Sequence, residues 1–417
     1  MNHELYIARR MTLNGERQKG SPSLTVALVG IVLAVVVMIL SIAIVMGFKG
    51  EISGKIMHLD AHLRITNAAL GIDENYATVN GREVREAIAA DGTFAPMIES
   101  ISLIADKSAI LKTEEDFMGI IMRGVDEGYD WRYLESKMVE GTVPIVSDTA
   151  SSNQIAISRI VADRLRLHAG DRVPTYFIDD KIKVRNLEVA GVFETDLEAF
   201  DGAYIVGGIG IIQGVNGWNG DTGTQVAINM KNTGNLDDDA YDLYSLLAEN
   251  TVEHESKNLF FVSTTHQNNL PFFAWLQMLD MNVVIILTLM MVVAAFTLIS
   301  AMLMIVLERI RVIGNFKAMG ATNGAIRRIF IYLTGKLILK ALIIGNIIGI
   351  GLCLLQKYCH IVRLDPSAYY MPYVPIHLSI PALIMLNVGI ILVSYLTLLG
   401  ASHIISTIKP TATMRFE

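Results

Sequence analysis

The sequence predicts a membrane protein, α-helical with four transmembrane helices plus a large α+β extracytoplasmic domain inserted between helices 1 and 2. Three observations carry this. Four apolar stretches are long enough to span a bilayer, and 234 residues of soluble composition separate the first from the second. Lys and Arg also collect on one side of the resulting topology.

A bilayer core of about 30 Å needs roughly 20 helical residues. Leu24–Met46 holds 23 residues without a charge and Met281–Leu307 holds 27, so each can span with some tilt. Leu337–Gln356 is interrupted only by Lys340, near one end, where a lysine can snorkel to the interface. Ile376–Gly400 has Pro381 near its start, where proline is best tolerated. The first stretch is too long for a signal-peptide core, and "MGFKGE" offers no small-x-small cleavage site, so it reads as an uncleaved helix.

Topology follows from the positive-inside rule. Residues 1–23, an amphipathic amino terminus, carry Arg9, Arg10, Arg17 and Lys19. Residues 308–336 carry six Lys or Arg, whereas the loop at 357–375 has only Lys357 and Arg363. Both termini, the second being the tail 401–417, are therefore expected in the cytoplasm, with residues 47–280 outside. That outer stretch holds 19 Lys+Arg against 36 Asp+Glu, a balance that excludes a nucleic-acid partner.

Within the outer stretch, "SISLIADKSAILK" and "MGIIMRGV" read as strands joined by the acidic "TEED" turn. "ISRIVADRLRL" spaces Ile157, Ile160, Val161, Leu165 and Leu167 near helical period, with Gly170 as its stop. "VRNLEVAGVFET" and "TQVAINM" read as strands, and "IIQGVNGWNGDTGT" as a loop rich in Gly and Asn. Beyond the first span Phe48, Ile52, Ile56 and Leu59 continue a helical stripe, and before the second Phe272, Leu276 and Leu279 do the same beside Trp275. Both flanks are expected to be helical stalks, although an interfacial anchor would also suit Trp275.

Catalytic and metal-binding patterns are few. The chain lacks a phosphate-binding G-x-x-x-x-G-K-[ST] loop, and "EHESK" lacks the second histidine of a zinc helix. His254 and His266 read as surface residues, and Asp237–Asp239 as a solvated loop or weak cation site. No span has a central acid or arginine, which weighs against ion coupling. Cys353 and Cys359, six apart on a helix, are too distant to bridge. The small-residue ladder Ala341, Gly345, Gly349 is expected to pack on the fourth span or on another chain.

The most informative stretch is "ERIRVIGNFKAMGATNGAIRRIF", Glu308–Phe330. Glu308–Met319 should continue the second span as a helix with Val312, Phe316 and Met319 on one face. Gly320 suits a left-handed C′ position, and Thr322 can cap a second helix bearing Ile326, Ile329, Phe330 and Leu333. Arg327 and Arg328 flank that apolar ridge, so the segment reads as a rigid docking elbow; a headgroup anchor would explain its charges but not its break.

"ERIRVIGNFKAMGAT" resembles the E-R-x-R-E-I-G-x-x-K-A-x-G-A-T signature of FtsX/MacB-type ABC transporter permeases, with Val312 where that family has Glu. "YIARR", "VMGFKGEISGKI", "LRLHAGDRV", "VAGVFETDLEAFD" and the final "IKPTATMRFE" are similar to the lipoprotein-releasing branch. The resemblance implies a noncatalytic permease of a bacterial inner membrane with a periplasmic outer domain. It implies no cofactor bound directly, with ATP and Mg held by a partner ABC ATPase. Further implied partners are a second permease, identical or paralogous, a lipoprotein drawn from membrane lipid, and a periplasmic lipoprotein carrier. Residues implied in coupling to the ATPase are Glu308, Arg309, Arg311, Ile313, Gly314, Phe316, Lys317, Met319, Gly320, Thr322, Arg327 and Arg328. Acyl chains are expected between the first two spans, lined by Met38, Met46, Phe48, Phe272, Trp275, Met291 and Met302. A MacB-like efflux pump, an FtsX-like mechanotransmitter of cell division and a receptor without transport are the alternatives.

Overall fold

The computed structural model describes residues 22–68, 78–92, 94–146, 153–178, 181–253 and 259–401. "YIARR", the other residues of the amino terminus, His254 and the final "IKPTATMRFE" lie outside the described residues. Two compact units result: one of residues 1–51, 275–363 and 373–417, the other of 52–274 and 364–372. Helices used below are, in chain order, α1 (Pro22–Leu59), α2 (Gly81–Ala90), α3 (Arg159–Leu165), α4 (Ile209–Asn216) and α5 (Leu236–Glu253). They continue with α6 (Leu270–Glu308), α7 (Ile310–Ala318), α8 (Asn323–Cys359) and α9 (Ile380–Ala401).

Among the described residues four helices, α1, α6, α8 and α9, are long and apolar enough to cross a membrane. The helix α1 runs unbroken to Leu59, and α6 begins at Leu270, ahead of the apolar stretch. In the first unit, α1 buries Ile31, Ala34, Val35, Met38 and Ile39, a stripe at helical period. Lipid tails give helices no hydrophobic reason to associate, so close van der Waals approach must do it. The small-residue ladder supplies that approach against α1, not α9: a Cβ on Gly345 would lie 2.8 Å from Val35, and one on Gly349 3.0 Å from Ile39. Instead α8 meets α9 through a reciprocal amide pair, in which Asn346 Nδ2 donates to Asn387 Oδ1 at 2.7 Å and Asn387 Nδ2 donates back at 3.0 Å. The third helix also begins earlier than expected, at Asn323, since no residue between Thr322 and Leu337 interrupts the helical ladder. The fourth begins later, at Ile380, as Ile376–Ser379 is nonhelical.

The second unit is an α+β domain on a ten-stranded mixed sheet. Its strands are β1 (Leu63–Asn67), β3 (Ile98–Lys112), β4 (Phe117–Val125), β5 (Met138–Gly141) and β6 (Gln154–Ser158), with β2 (Val79–Asn80) outside it. There follow β7 (Arg172–Phe177), β8 (Lys183–Phe193), β9 (Tyr204–Gly208), β11 (Gln225–Met230) and β12 (Phe260–Thr264), while β10 (Thr222–Gly223) pairs with β2. The order is β12-β1-β11-β3-β4-β9-β6-β8-β5, with β7 joining β3 to β8. The expected β3–β4 hairpin is present, antiparallel from Ile104↔Val125 to Lys112↔Phe117. Val84 and Ile88 of α2, Val161 and Leu165 of α3, Ile212 of α4 and Leu243 of α5 fill one core with the sheet residues.

Three sequence expectations need correction. Ile157 belongs to β6, not to a helix; the helix α3 starts after Ser158, whose Oγ accepts the Val161 N–H at 3.2 Å. It ends at Arg166, which takes the left-handed conformation (φ 52°), four residues before Gly170. "IIQGVNGWNGDTGT" is not all loop, because its apolar start folds as α4 and Gly217 (φ 71°) terminates it. Asp237–Asp239 form the first turn of α5, where carboxylates face the positive end of the helix dipole.

Candidate coupling elbow and a buried cluster in the inserted domain

The stretch after α6 is built from three backbone devices. Arg309 (φ −112°, ψ 17°) breaks the helix, so α7 is a separate helix and not the continuation that the sequence predicts. The end of α7 is a Schellman motif: Gly320 N–H donates to Lys317 O at 3.1 Å and Ala321 N–H to Phe316 O at 2.9 Å. Gly320 has φ 87°, as its expected C′ role requires. Thr322 then caps α8, its side chain accepting from Ala325 N at 3.3 Å. Orphan carbonyls of one helix and orphan N–H groups of the next are thus satisfied within four residues, which fixes the angle of the turn.

The apolar ridge divides between inside and outside. Ile313 and Gly314 of α7 and Ile326, Ile329 and Phe330 of α8 are buried, so they hold the elbow to the bundle and present no outer ridge. Phe316 and Leu333 pack partly against the same core, and only Met319 stands out, 73% exposed. Of the other residues in this segment Glu308, Arg311, Gly320, Thr322 and Arg328 are exposed, and Arg309, Val312, Lys317 and Arg327 half-buried. Arg327 donates through Nη2 to Leu399 O in the last turn of α9, a cation at the negative end of a helix.

The residues expected to line an acyl path are also divided. Met38 and Met302 are closed inside the bundle core. Met46, Phe48 and Met291 are half-buried, and Phe48 meets Trp275 edge-on with ring centroids 6.4 Å apart. Lys49 pairs with Asp280 at 2.6 Å across the same α1–α6 seam. Phe272 lies in the other unit, edge-on to Tyr370.

Within the inserted domain stand polar residues that the sequence reading missed. Arg123, 5% exposed on β4, gives Nε and Nη2 to the two Asp106 oxygens at 3.0 and 3.1 Å, and Nη1 to Leu59 O at 3.2 Å. Its guanidinium lies 4.7 Å from the Tyr204 ring centroid. Beside it a cavity of about 390 Å³ is lined by His58, His62, Glu99, Tyr129 and Arg132 among others. The Met230 N–H donates to His62 Nδ1 at 2.9 Å, and burial lowers the His62 pKa. The visible signal for Arg123 was a charge inside the apolar "MGIIMRGV" strand. Among the described residues no His, Cys, Asp or Glu group has the arrangement to hold a metal ion.

Asp201 carries a displaced carboxyl pKa. Burial pushes its carboxyl up to about 6, against the opposing pull of the Thr195 hydroxyl (2.6 Å) and N–H (3.0 Å). Between the unfolded value of 3.8 and about 6, the folded state holds this proton more tightly. Its contribution is thus fully present below pH 4 and lost as pH rises through 6, by about 3 kcal/mol for two pKa units. Asp201→Asn should therefore raise the melting temperature of the full-length protein at pH 7 more than at pH 4.5. Equal shifts at both pH values, read by scanning calorimetry, would refute a buried, costly charge.

Four helices long and apolar enough to span, an α+β domain inserted after the first and a capped basic elbow after the second fit a multi-pass membrane protein. Residues 24–238, half of the chain, match the MacB-like periplasmic core domain, and residues 284–410 match the FtsX-like permease C-terminal domain. The chain belongs to the FtsX/MacB family of ABC transporter permeases. That membership implies an ATPase partner and a second permease subunit. A relative from Xylella fastidiosa (strain Temecula1), "Lipoprotein-releasing system transmembrane protein LolC", is 21% identical over 408 residues, 94% of this chain and 93% of that one. The namesake from strain 9a5c is likewise 21% identical with the same coverage. Among solved structures, the periplasmic region of MacB from Actinobacillus actinomycetemcomitans covers 50% of this chain and 91% of its own, at 14% identity and TM-score 0.36.

Proposed function

We propose that the chain is the permease subunit of an ABC transporter that releases lipoproteins from the outer leaflet of the inner membrane to a periplasmic carrier. The observation that carries this reading is the end-to-end match to the LolC-named relatives, which takes in the inserted domain as well as the spans. ATP and Mg sit on the separate ATPase in this scheme, and two permeases face each other, identical or paralogous. The Lys/Arg asymmetry supports cytoplasmic termini, an elbow on the ATPase side and residues 47–280 in the periplasm. Exposed Met319 offers the ATPase an apolar contact on a segment that also exposes Arg311 and Arg328. The acyl chains pass along the α1–α6 seam beside Met46, Phe48, Trp275 and Met291, not between the enclosed Met38 and Met302. The MacB-like core domain supports efflux as a second reading.

Depletion of the chain in its host separates the two. Lipoproteins are expected to accumulate in the inner-membrane fraction of a density gradient, with resistance to toxic compounds unchanged. Normal lipoprotein sorting with lost resistance would reject release in favour of efflux.

A further inference from the structure

Lys55 lies on α1, in the domain unit, and is 4% exposed. A buried ammonium requires all three of its donors to be matched. Its Nζ donates to Thr195 O at 3.0 Å, to Asp196 Oδ2 at 3.2 Å and to Tyr370 O at 2.8 Å. These acceptors come from two segments far apart in sequence: the turn after β8, and residues 364–372, which join the third and fourth spans. The turn is itself held by Asp201, whose carboxylate accepts from Thr195 N–H and hydroxyl. Both segments carry an unusual backbone at the contact, since Asp196 and Tyr370 each have φ 60°. Non-glycine residues are rare there, and such outliers persist only where their surroundings hold them. Tyr370 also places its ring edge-on to Phe272 on the first turn of α6, at 6.3 Å. One loop thus meets both stalk helices within this unit.

We propose that Lys55 is a positioning residue for force transfer, pinning the 364–372 loop and the Thr195–Asp196 turn to the first stalk so that the three move together. Loss of the ammonium leaves three acceptors without their shared donor and two left-handed residues without their restraint. The ladder of the sheet touches none of these bonds and should not respond.

The test uses the full-length permease with its ATPase in lipid nanodiscs, read by hydrogen exchange and mass spectrometry. No lipoprotein is needed, so failure here is separate from failure of the release reading. Lys55→Met, which keeps the apolar stem, should speed amide exchange at least tenfold in peptides covering 364–372 and 194–197, with β3 and β4 unchanged. ATP should alter exchange in both the stalk and the loop of the unmodified protein, but only in the stalk of Lys55→Met. An unchanged loop, a uniform rise across the sheet, or an intact ATP response of the loop would each overturn the proposal. Should Lys55→Met fail to insert, Asp196→Asn keeps the two carbonyl acceptors and should give a smaller rise, about threefold, in the same peptides; no rise would overturn it equally.

Discussion

Arg123→Leu is expected to cost the inserted domain about 3–5 kcal/mol, the usual loss when one partner of a buried ion pair is removed. The charge is almost wholly inside, so the arginine cannot be traded for water. Its departure strips the Asp106 carboxylate of two charged donors and, among the described residues, leaves the 3.3 Å bond from Gln225 Nε2. It also withdraws the donor at Leu59 O, the last carbonyl of α1, one of the four acceptors that a helix end leaves without an internal partner. Arg123→Lys keeps a cation but cannot make the two-pronged contact, so it should recover only part of the loss. The pair Arg123→Leu with Asp106→Leu removes both charges and should be more stable than Arg123→Leu alone by at least about 1 kcal/mol. Denaturation of the unmodified protein, Arg123→Leu, Asp106→Leu and the double variant by circular dichroism supplies the cycle. Purely additive losses would show that the pair is not coupled.

Gly320→Val is expected to abolish stimulation of the partner ATPase while the permease still inserts. The substituted Cβ meets open space, so no clash confuses the result. What changes is the backbone: φ 87° is open to glycine, whereas a residue with a Cβ in the left-handed region costs roughly 1–2 kcal/mol and a β-branched one more. Relief requires the Schellman bonds to open, which alters the direction from α7 to α8. Met319→Asp tests the same surface without touching the backbone, because Met319 is exposed and packs on nothing in the bundle core. Phe316→Ala is a poorer probe, since that ring is partly packed inside and its loss would mix coupling with stability. ATPase rates in proteoliposomes decide: full stimulation in both Gly320→Val and Met319→Asp would show that the elbow tip does not transmit motion.

Much of the architecture was legible because its signals are local or repetitive. Span length needs only an uncharged run, and the β3–β4 hairpin shows alternation on both sides of an acidic turn. Gly320 and Thr322 were readable because cap residues act over three or four positions. The failures share one physical cause. Ile157 falls on a helical period by coincidence, and only its pairing with Val192 of β8 makes it a strand residue. Periodicity gave Ile326, Ile329 and Phe330 an apolar face correctly, but whether that face meets the bundle or another protein depends on packing that no short window contains. Lys55 and Arg123 were missed for the same reason: their partners lie on other elements, 17 to 315 positions away in sequence.

The amide pair between Asn346 and Asn387 has a consequence for how the chain is assembled. Two side-chain amides facing hydrocarbon singly would each be a penalty to a helix leaving the translocation machinery; joined, they satisfy one another. A slip of one turn, about 5.4 Å, would separate them, so only one vertical alignment of the third and fourth spans hides both. The interaction in a membrane is worth modest energy, about 0.6 kcal/mol on average. Its value lies in discrimination. The pair sets the register of the last two spans against each other.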